Sequence, residues 1–182
     1  MKTKKCVEKG LNMSKCAVIL AGGQANRMGG VDKGRLMLGD QSLIQRVIGR
    51  ITPQVDAVVL NANGDLGRFD DLGLPVVADS IPDYAGPLAG ILAGMDWAAE
   101  QGHDWLFSVA ADTPSFPLDL VERLSGVDAP VVLAATPDPE RGRIPQPTFG
   151  RWDVSLRNDL RAALNDGVRK IRQWTLAHRS ES

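Results

Sequence analysis

An open α/β fold, with a mainly parallel sheet and helices on both faces, is predicted by two features of this chain. Short apolar runs recur at residues 17–20, 57–60, 76–78, 106–110 and 131–134, and stretches of helical spacing separate several of them. A glycine-rich segment leaves the first run, which is where such sheets bind their ligands.

The run Ala17-Val18-Ile19-Leu20 is apolar throughout and ends in glycines, as a strand buried on both faces would. A helix is expected to open at Ser42, because Gln45 three residues later completes a capping box, with Leu43, Val47, Ile48 and Ile51 on its apolar face. Residues 57–60 and 76–78 follow as strands, and Leu88, Ile91, Leu92 and Met95 fall on one side of a further helix. Residues 106–110 and 131–134 supply the remaining strands, with right-handed crossovers between parallel neighbours. Residues 136–147 carry four prolines and mixed charge and are expected to form a loop. The polar residues 1–14 are expected to be a mobile tail, leaving 15–182 as a single domain.

A chain of 182 residues can bury a core without staples. Its net charge of -1, from 21 basic and 22 acidic residues, provides no general attraction to nucleic acid or to an anionic membrane surface. No apolar stretch approaches the ~20 residues of a membrane span. Cys6 lies in the polar tail and Cys16 in an apolar run, so a disulfide framework is not expected and a reducing, cytoplasmic location is. His103 and His178 stand apart from each other and from cysteine, which argues against a histidine metal site or a nucleophile triad. Trp97, Trp105, Trp152 and Trp174 are read as packing residues.

The segment from Leu20 to Lys33 reads Leu-Ala-Gly-Gly-Gln-Ala-Asn-Arg-Met-Gly-Gly-Val-Asp-Lys. Its glycines let backbone N–H groups turn inward into an anion-binding nest, and Arg27 and Lys33 add charge for a polyphosphate. It fits neither the P-loop pattern nor the G-x-G-x-x-G fingerprint. A solvated turn is the plainer reading of a single Gly-Gly pair; the full string of glycines with two cations favours a triphosphate cradle.

In these residues the chain resembles the molybdenum cofactor guanylyltransferase family, whose hallmark is Leu-Ala-Gly-Gly, a short spacer, Arg-Met-Gly-Gly and Asp-Lys. Further blocks agree in order: Asn61-Ala62-Asn63, Asp79-Ser80, Gly86-Pro87-Leu88-Ala89-Gly90 and Asp112-Thr113-Pro114. The resemblance implies a Rossmann-like sheet of the nucleotidyltransferase type that binds GTP through Leu20, Ala21, Gly22, Gly23, Lys33, Asn61, Asp79 and Asp112. Physically, an amide and a carboxylate at adjacent strand ends can read the donors and acceptors of a base or ribose, although both are also ordinary strand-ending residues. Asp112 should emerge beside the glycine segment, where a hard carboxylate suits Mg2+; Asp-Thr-Pro is equally turn chemistry. Gly86 and Pro87 suit a helix start close to a ligand, or simply a helix start.

The resemblance also implies that molybdopterin lies near Gln146 and Pro147. Beyond Phe149 the likeness thins, and no Asn-x-Asn follows Asn63, so the C-terminal part is divergent or shortened relative to the family. The expected reaction is transfer of GMP from GTP to the terminal phosphate of molybdopterin, with Arg27, Lys33 and Asp112 as the catalytic set and Mg2+ as cofactor. Partners are then GTP, molybdopterin and molybdoenzyme maturation proteins. A cytidylyl or sugar-phosphate nucleotidyltransferase would share the fold. A GTP-binding or cofactor-carrier protein without catalysis is the alternative from another class.

Overall fold

A computed structural model describes residues 13–22, 33–81 and 86–178. Strand β1 (Lys15–Leu20) lies at the middle of a six-stranded sheet whose order is β5-β4-β1-β6-β8-β7. The first four of these, β5 (Val76–Val77), β4 (Ala57–Asn61), β1 and β6 (Trp105–Ala110), run parallel. β8 (Gly142–Asp153) is antiparallel to both β6 and β7 (Val131–Asp138). β2 (Met37–Leu38) and β3 (Gln41–Ser42) form a separate small hairpin.

Both faces of the sheet are covered, which is why β1 reads as continuously apolar. Its side chains alternate between two cores, as the period of a strand requires. Cys16 and Val18 join Leu88, Ile91, Leu92 and Met95 of α2 (Pro87–Glu100), Leu160 and Leu164 of α4 (Arg157–Asn165), and Ile171 and Trp174 of α5 (Ile171–Thr175). Ala17 and Ile19 join Ile44, Val47 and Ile51 of α1 (Leu43–Ile51), Phe69, and Leu120, Val121 and Leu124 of α3 (Leu120–Ser125). No helix among the described residues is long and apolar enough to cross a membrane.

The capping box forms as expected: Ser42 Oγ accepts the Gln45 N–H at 3.4 Å, and Gln45 Oε1 accepts the Ser42 N–H at 2.9 Å. The apolar face of α1 is displaced from the expected one. Ile44, Val47 and Ile51 are buried, while Leu43 and Ile48 are half-buried. Leu43 is the first helical residue, and its N–H donates to Leu36 O at 2.9 Å, just ahead of the small hairpin.

Residues 136–147 are not a loop. They belong to the two paired arms of the β7–β8 hairpin, joined by a turn in which Asp138 Oδ1 accepts the N–H groups of Glu140 at 3.0 Å and Arg141 at 2.7 Å. Prolines are tolerated there because of where they fall. Pro137 lies on the edge strand β7, and Pro145 lies where β8 pairs with β7 alone, so neither interrupts a second ladder. Pro147 falls in the irregularity opposite Leu133 and Ala134, where the register shifts.

Of residues 1–14, only Met13 and Ser14 are described. The Ser14 N–H donates to Asp104 Oδ2 at 3.2 Å, its hydroxyl lies 2.5 Å from His103 Nδ1, and Met13 Sδ accepts from the Trp105 indole at 3.4 Å. Trp152 is fully buried with its indole N–H on Ser108 Oγ at 2.9 Å, and it stacks on Trp174 with centroids 6.1 Å apart.

Candidate functional site

The four parallel strands end in register. Val77, Asn61, Leu20 and Ala110 form one row across the sheet, so whatever follows each of them emerges at the same carboxyl edge. With strands about 4.8 Å apart, the groups beyond that row span roughly 14 Å, the scale of a nucleotide. Backbone bonds carry the row outward by one residue: Ala21 N–H donates to Asn61 O at 2.9 Å, Ala62 N–H to Val77 O at 3.0 Å and Ala111 N–H to Leu20 O at 3.1 Å.

At one end of the row three polar side chains lock together. Asp79 Oδ1 accepts from the Asn61 amide at 3.0 Å, and Asp79 Oδ2 accepts from the Asn63 amide at 2.8 Å. Asn63 Oδ1 accepts the Asp79 N–H at 2.9 Å, and Asn61 also donates to Val77 O at 3.3 Å. Asn61 is buried, with 2% of its surface exposed, whereas Asn63 and Asp79 are partly open. Each carboxylate oxygen retains a lone pair for a further donor.

Gly22 stands over this group. A Cβ at Gly22 would lie 3.2 Å from Asn61 Oδ1 and 3.4 Å from Asn63 Nδ2, so its lack of a side chain lets the chain leaving β1 cross close to both amides. Gly90, one turn into α2, is closer still, with Asn61 Oδ1 2.2 Å from where its Cβ would be. The block from Gly86 to Gly90 therefore has a packing reason: its last glycine lets α2 rest on Asn61 and Leu20. Gly86 is the N-cap of α2, and Pro87 occupies its first turn, where a missing N–H costs nothing.

Asp112 lies past the other end of the row, exposed, in the turn after β6. The Thr113 hydroxyl donates to its Oδ1 at 3.1 Å; among the described residues no donor meets Oδ2. Because β8 is antiparallel to β6 and pairs Gly150 with Ser108, Gln146 and Pro147 lie beyond the end of β6, on the side of Asp112. The rings of Phe116 and Phe149, 5.6 Å apart, join the two segments. Gln146 itself donates to Thr136 Oγ1 at 3.1 Å.

Lys33 is exposed and opens a short 3-10 turn, Lys33–Arg35, that leads into β2. The turn is tethered by Arg35, whose guanidinium donates to Asp71 at 2.7 and 2.6 Å and to Arg68 O, and lies over the Phe69 ring. This hydrogen bonding holds the Asp71 carboxyl below its usual range. Arg68 in turn donates to Asn63 O at 3.0 Å, which links the Lys33 turn to the Asn–Asp group. Gly23 and Arg27 lie outside the described residues, as does most of the glycine segment.

The strand ends thus bring Leu20, Ala21, Gly22, Asn61, Asp79 and Asp112 to one edge. Asn63 and Gly90 belong to this edge as well, although neither stands out individually in the sequence. For Asn63 the signal was present: Asn-Ala-Asn at a strand end puts two amides on the same side by period-two alternation.

Comparison with known proteins shows the family of the chain. The family model described as "MobA-like NTP transferase domain" matches residues 17–181. A Nitrobacter hamburgensis protein named molybdenum cofactor guanylyltransferase is 48% identical over 167 residues, covering 89% of this chain and 78% of its own length. A protein of the same name from Cupriavidus pinatubonensis is 42% identical over 166 residues, covering 89% and 82%. Among solved structures, molybdopterin-guanine dinucleotide biosynthesis protein A from Archaeoglobus fulgidus superposes with a TM-score of 0.66 at 23% identity, covering 91% of this chain and 80% of that one. A 4-diphosphocytidyl-2C-methyl-D-erythritol synthase from Anaerococcus prevotii superposes with a TM-score of 0.73 at 12% identity, covering 93% and 86%, a likeness of fold alone. With the model matched over nearly the whole domain and relatives at this level of identity, the chain belongs to the MobA-like NTP transferase domain family.

Proposed function

We propose that this chain is a nucleotidyltransferase that moves GMP from GTP to the terminal phosphate of molybdopterin and releases pyrophosphate. The observation that carries the reading is the Asn61–Asp79–Asn63 group at one end of the row of strand ends, with Asp112 beyond the other. The curated relatives' shared name, molybdenum cofactor guanylyltransferase, supports the choice of donor and acceptor.

In this reading Asp79, held with one oxygen on each amide, accepts hydrogen bonds from the base or ribose while Asn61 stays fixed beneath it. Gly22 leaves room for the nucleotide above the amides. Lys33 and Arg27 draw charge away from the triphosphate, and Gln146 and Pro147 border the acceptor. Because the acceptor phosphate is already an anion, the chain's work is to align it with the α-phosphorus and to offset developing charge, without a covalent intermediate. Asp112 has the donor chemistry for Mg2+: an exposed carboxylate whose Oδ2 meets no donor among the described residues, beside the phosphate path. Among the described residues no group of three or more metal-ligating side chains comes together, which suits an ion completed by phosphate and water. When bound, Mg2+ would supply charge neutralisation at the phosphates.

The same reading takes residues 15–182 as one domain, working in the cytoplasm, whose product passes to molybdoenzyme maturation proteins. The test is pyrophosphate release with GTP, Mg2+ and molybdopterin, run beside CTP. Turnover only with GTP and the pterin is expected. Preference for CTP would replace the base assignment, and nucleotide binding without pyrophosphate release would make the chain a carrier.

A further inference from the structure

We infer that Ser80, held by Asp96 and Arg161, is a positioning residue that sets the affinity of the nucleotide site through Asp79; the inference rests on the reading that Asp79 contacts the nucleotide. Asp79 and Ser80 follow the two-residue strand β5, in a stretch without regular structure. The last sheet bond before them is that of Ala62 N–H to Val77 O, so among the described residues no ladder holds the backbone at Asp79. Two side-chain systems hold it instead. On the strand side, the Asn61 and Asn63 amides take the Asp79 carboxylate, and Asn63 Oδ1 takes its N–H. On the helix side, the Ser80 hydroxyl donates to Asp96 Oδ2 at 2.6 Å.

Asp96 is itself oriented. Arg161 of α4 donates from Nη2 to both of its oxygens, at 2.7 and 2.6 Å, so the carboxylate is aimed before Ser80 reaches it. Ser80 is exposed, and water could satisfy its hydroxyl, so burial does not demand this bond. Asp96 lies on the helix whose Gly90 rests against Asn61, six residues or about 9 Å further along the axis. One helix therefore fixes both sides of the Asn–Asp group: Asn61 by contact at Gly90, and Asp79 by the tether at Asp96. Through Arg161, helix α4 is joined to the nucleotide end of the site, although among the described residues it contributes no residue to it.

The experiment is calorimetric GTP affinity in Mg2+, with turnover and melting temperature, for Ser80→Ala, Ser80→Thr, Asp79→Asn and the Ser80→Ala/Asp79→Asn double variant. Ser80→Ala should weaken GTP binding about fivefold to tenfold, within the range of coupling between contacting residues, with kcat and melting temperature nearly unchanged. Ser80→Thr retains the hydroxyl and should bind like the parent. In the double variant, Ser80→Ala should add little to the loss from Asp79→Asn. Unchanged affinity in Ser80→Ala, or a loss that adds in full to that of Asp79→Asn, overturns the inference while leaving the Asp79 assignment standing. Unchanged affinity in Asp79→Asn itself overturns that assignment, and the inference with it.

Discussion

Gly90 and Asn61 are packed with no space for a side chain between them: a Cβ at Gly90 would stand 2.2 Å from Asn61 Oδ1 and 2.9 Å from its Cγ. An alanine there gains ~1 kcal/mol of helix propensity, but overpacking of this kind costs about 1–3 kcal/mol. The clash is with the buried amide that holds Asp79. Gly90→Ala should therefore lower the melting temperature and weaken GTP binding together. Gly94→Ala is the control, since its Cβ would meet Val18 at 2.9 Å and Leu106 at 3.0 Å, away from the polar group. It should destabilise to a similar extent and leave GTP affinity nearly intact, as calorimetry and thermal melts would show.

Asp112→Asn should fold normally, because Asp112 is exposed and, among the described residues, is bonded only to the Thr113 hydroxyl. An amide is a poorer ligand for a hard dication, so turnover should fall on the order of 100-fold at limiting Mg2+ while some nucleotide binding persists. Parental turnover across a Mg2+ titration would show that Asp112 is not the metal ligand.

Lys33→Ala should leave the melting temperature unchanged, since the side chain is exposed and the turn is held by Lys33 O accepting from Leu36 N–H at 3.1 Å. Losing one charge-assisted phosphate contact should weaken GTP binding about tenfold. Calorimetry reads this directly, and an unchanged affinity would exclude Lys33 from the phosphate site.

Cys16 is fully buried on β1, and burial, with a smaller contribution from Asp56, pushes its thiol from 9.0 up to about 12. The folded pKa is raised, so the stability gained by keeping the thiol neutral is complete below pH 9.0 and lost as pH rises toward about 12. Alkaline melts should show this loss, and Cys16→Ser should flatten it. At pH 8 the native chain should resist alkylation at Cys16 in peptide mapping, becoming reactive only on unfolding.

Where local residues suffice, the sequence and the structure agree. The capping box at Ser42 and Gln45 needs only four consecutive positions, and it forms. The strand through Ala17, Val18, Ile19 and Leu20 is apolar because both faces of the sheet are covered, a property readable from composition alone. The hairpin of β7 and β8 was not readable in this way. Pro137, Pro145 and Pro147 resemble loop punctuation until the sheet order shows which strand sides lack partners.

By itself the sequence determined the parallel core of the sheet, the carboxyl edge where sheets of this kind bind ligands, and the residues Leu20, Gly22, Asn61, Asp79 and Asp112 that arrive there. Only the tertiary structure decided what those residues touch. Asn61 and Asp79 are 18 positions apart, and nothing between them sets their distance. Their bond exists because β4 and β5 pair Asn61 with Val77, two residues before Asp79, and because Gly90 lets α2 close over the amide. Hydrogen bonds of about 3 Å require such registration of separate elements, which periodicity and local pattern do not encode.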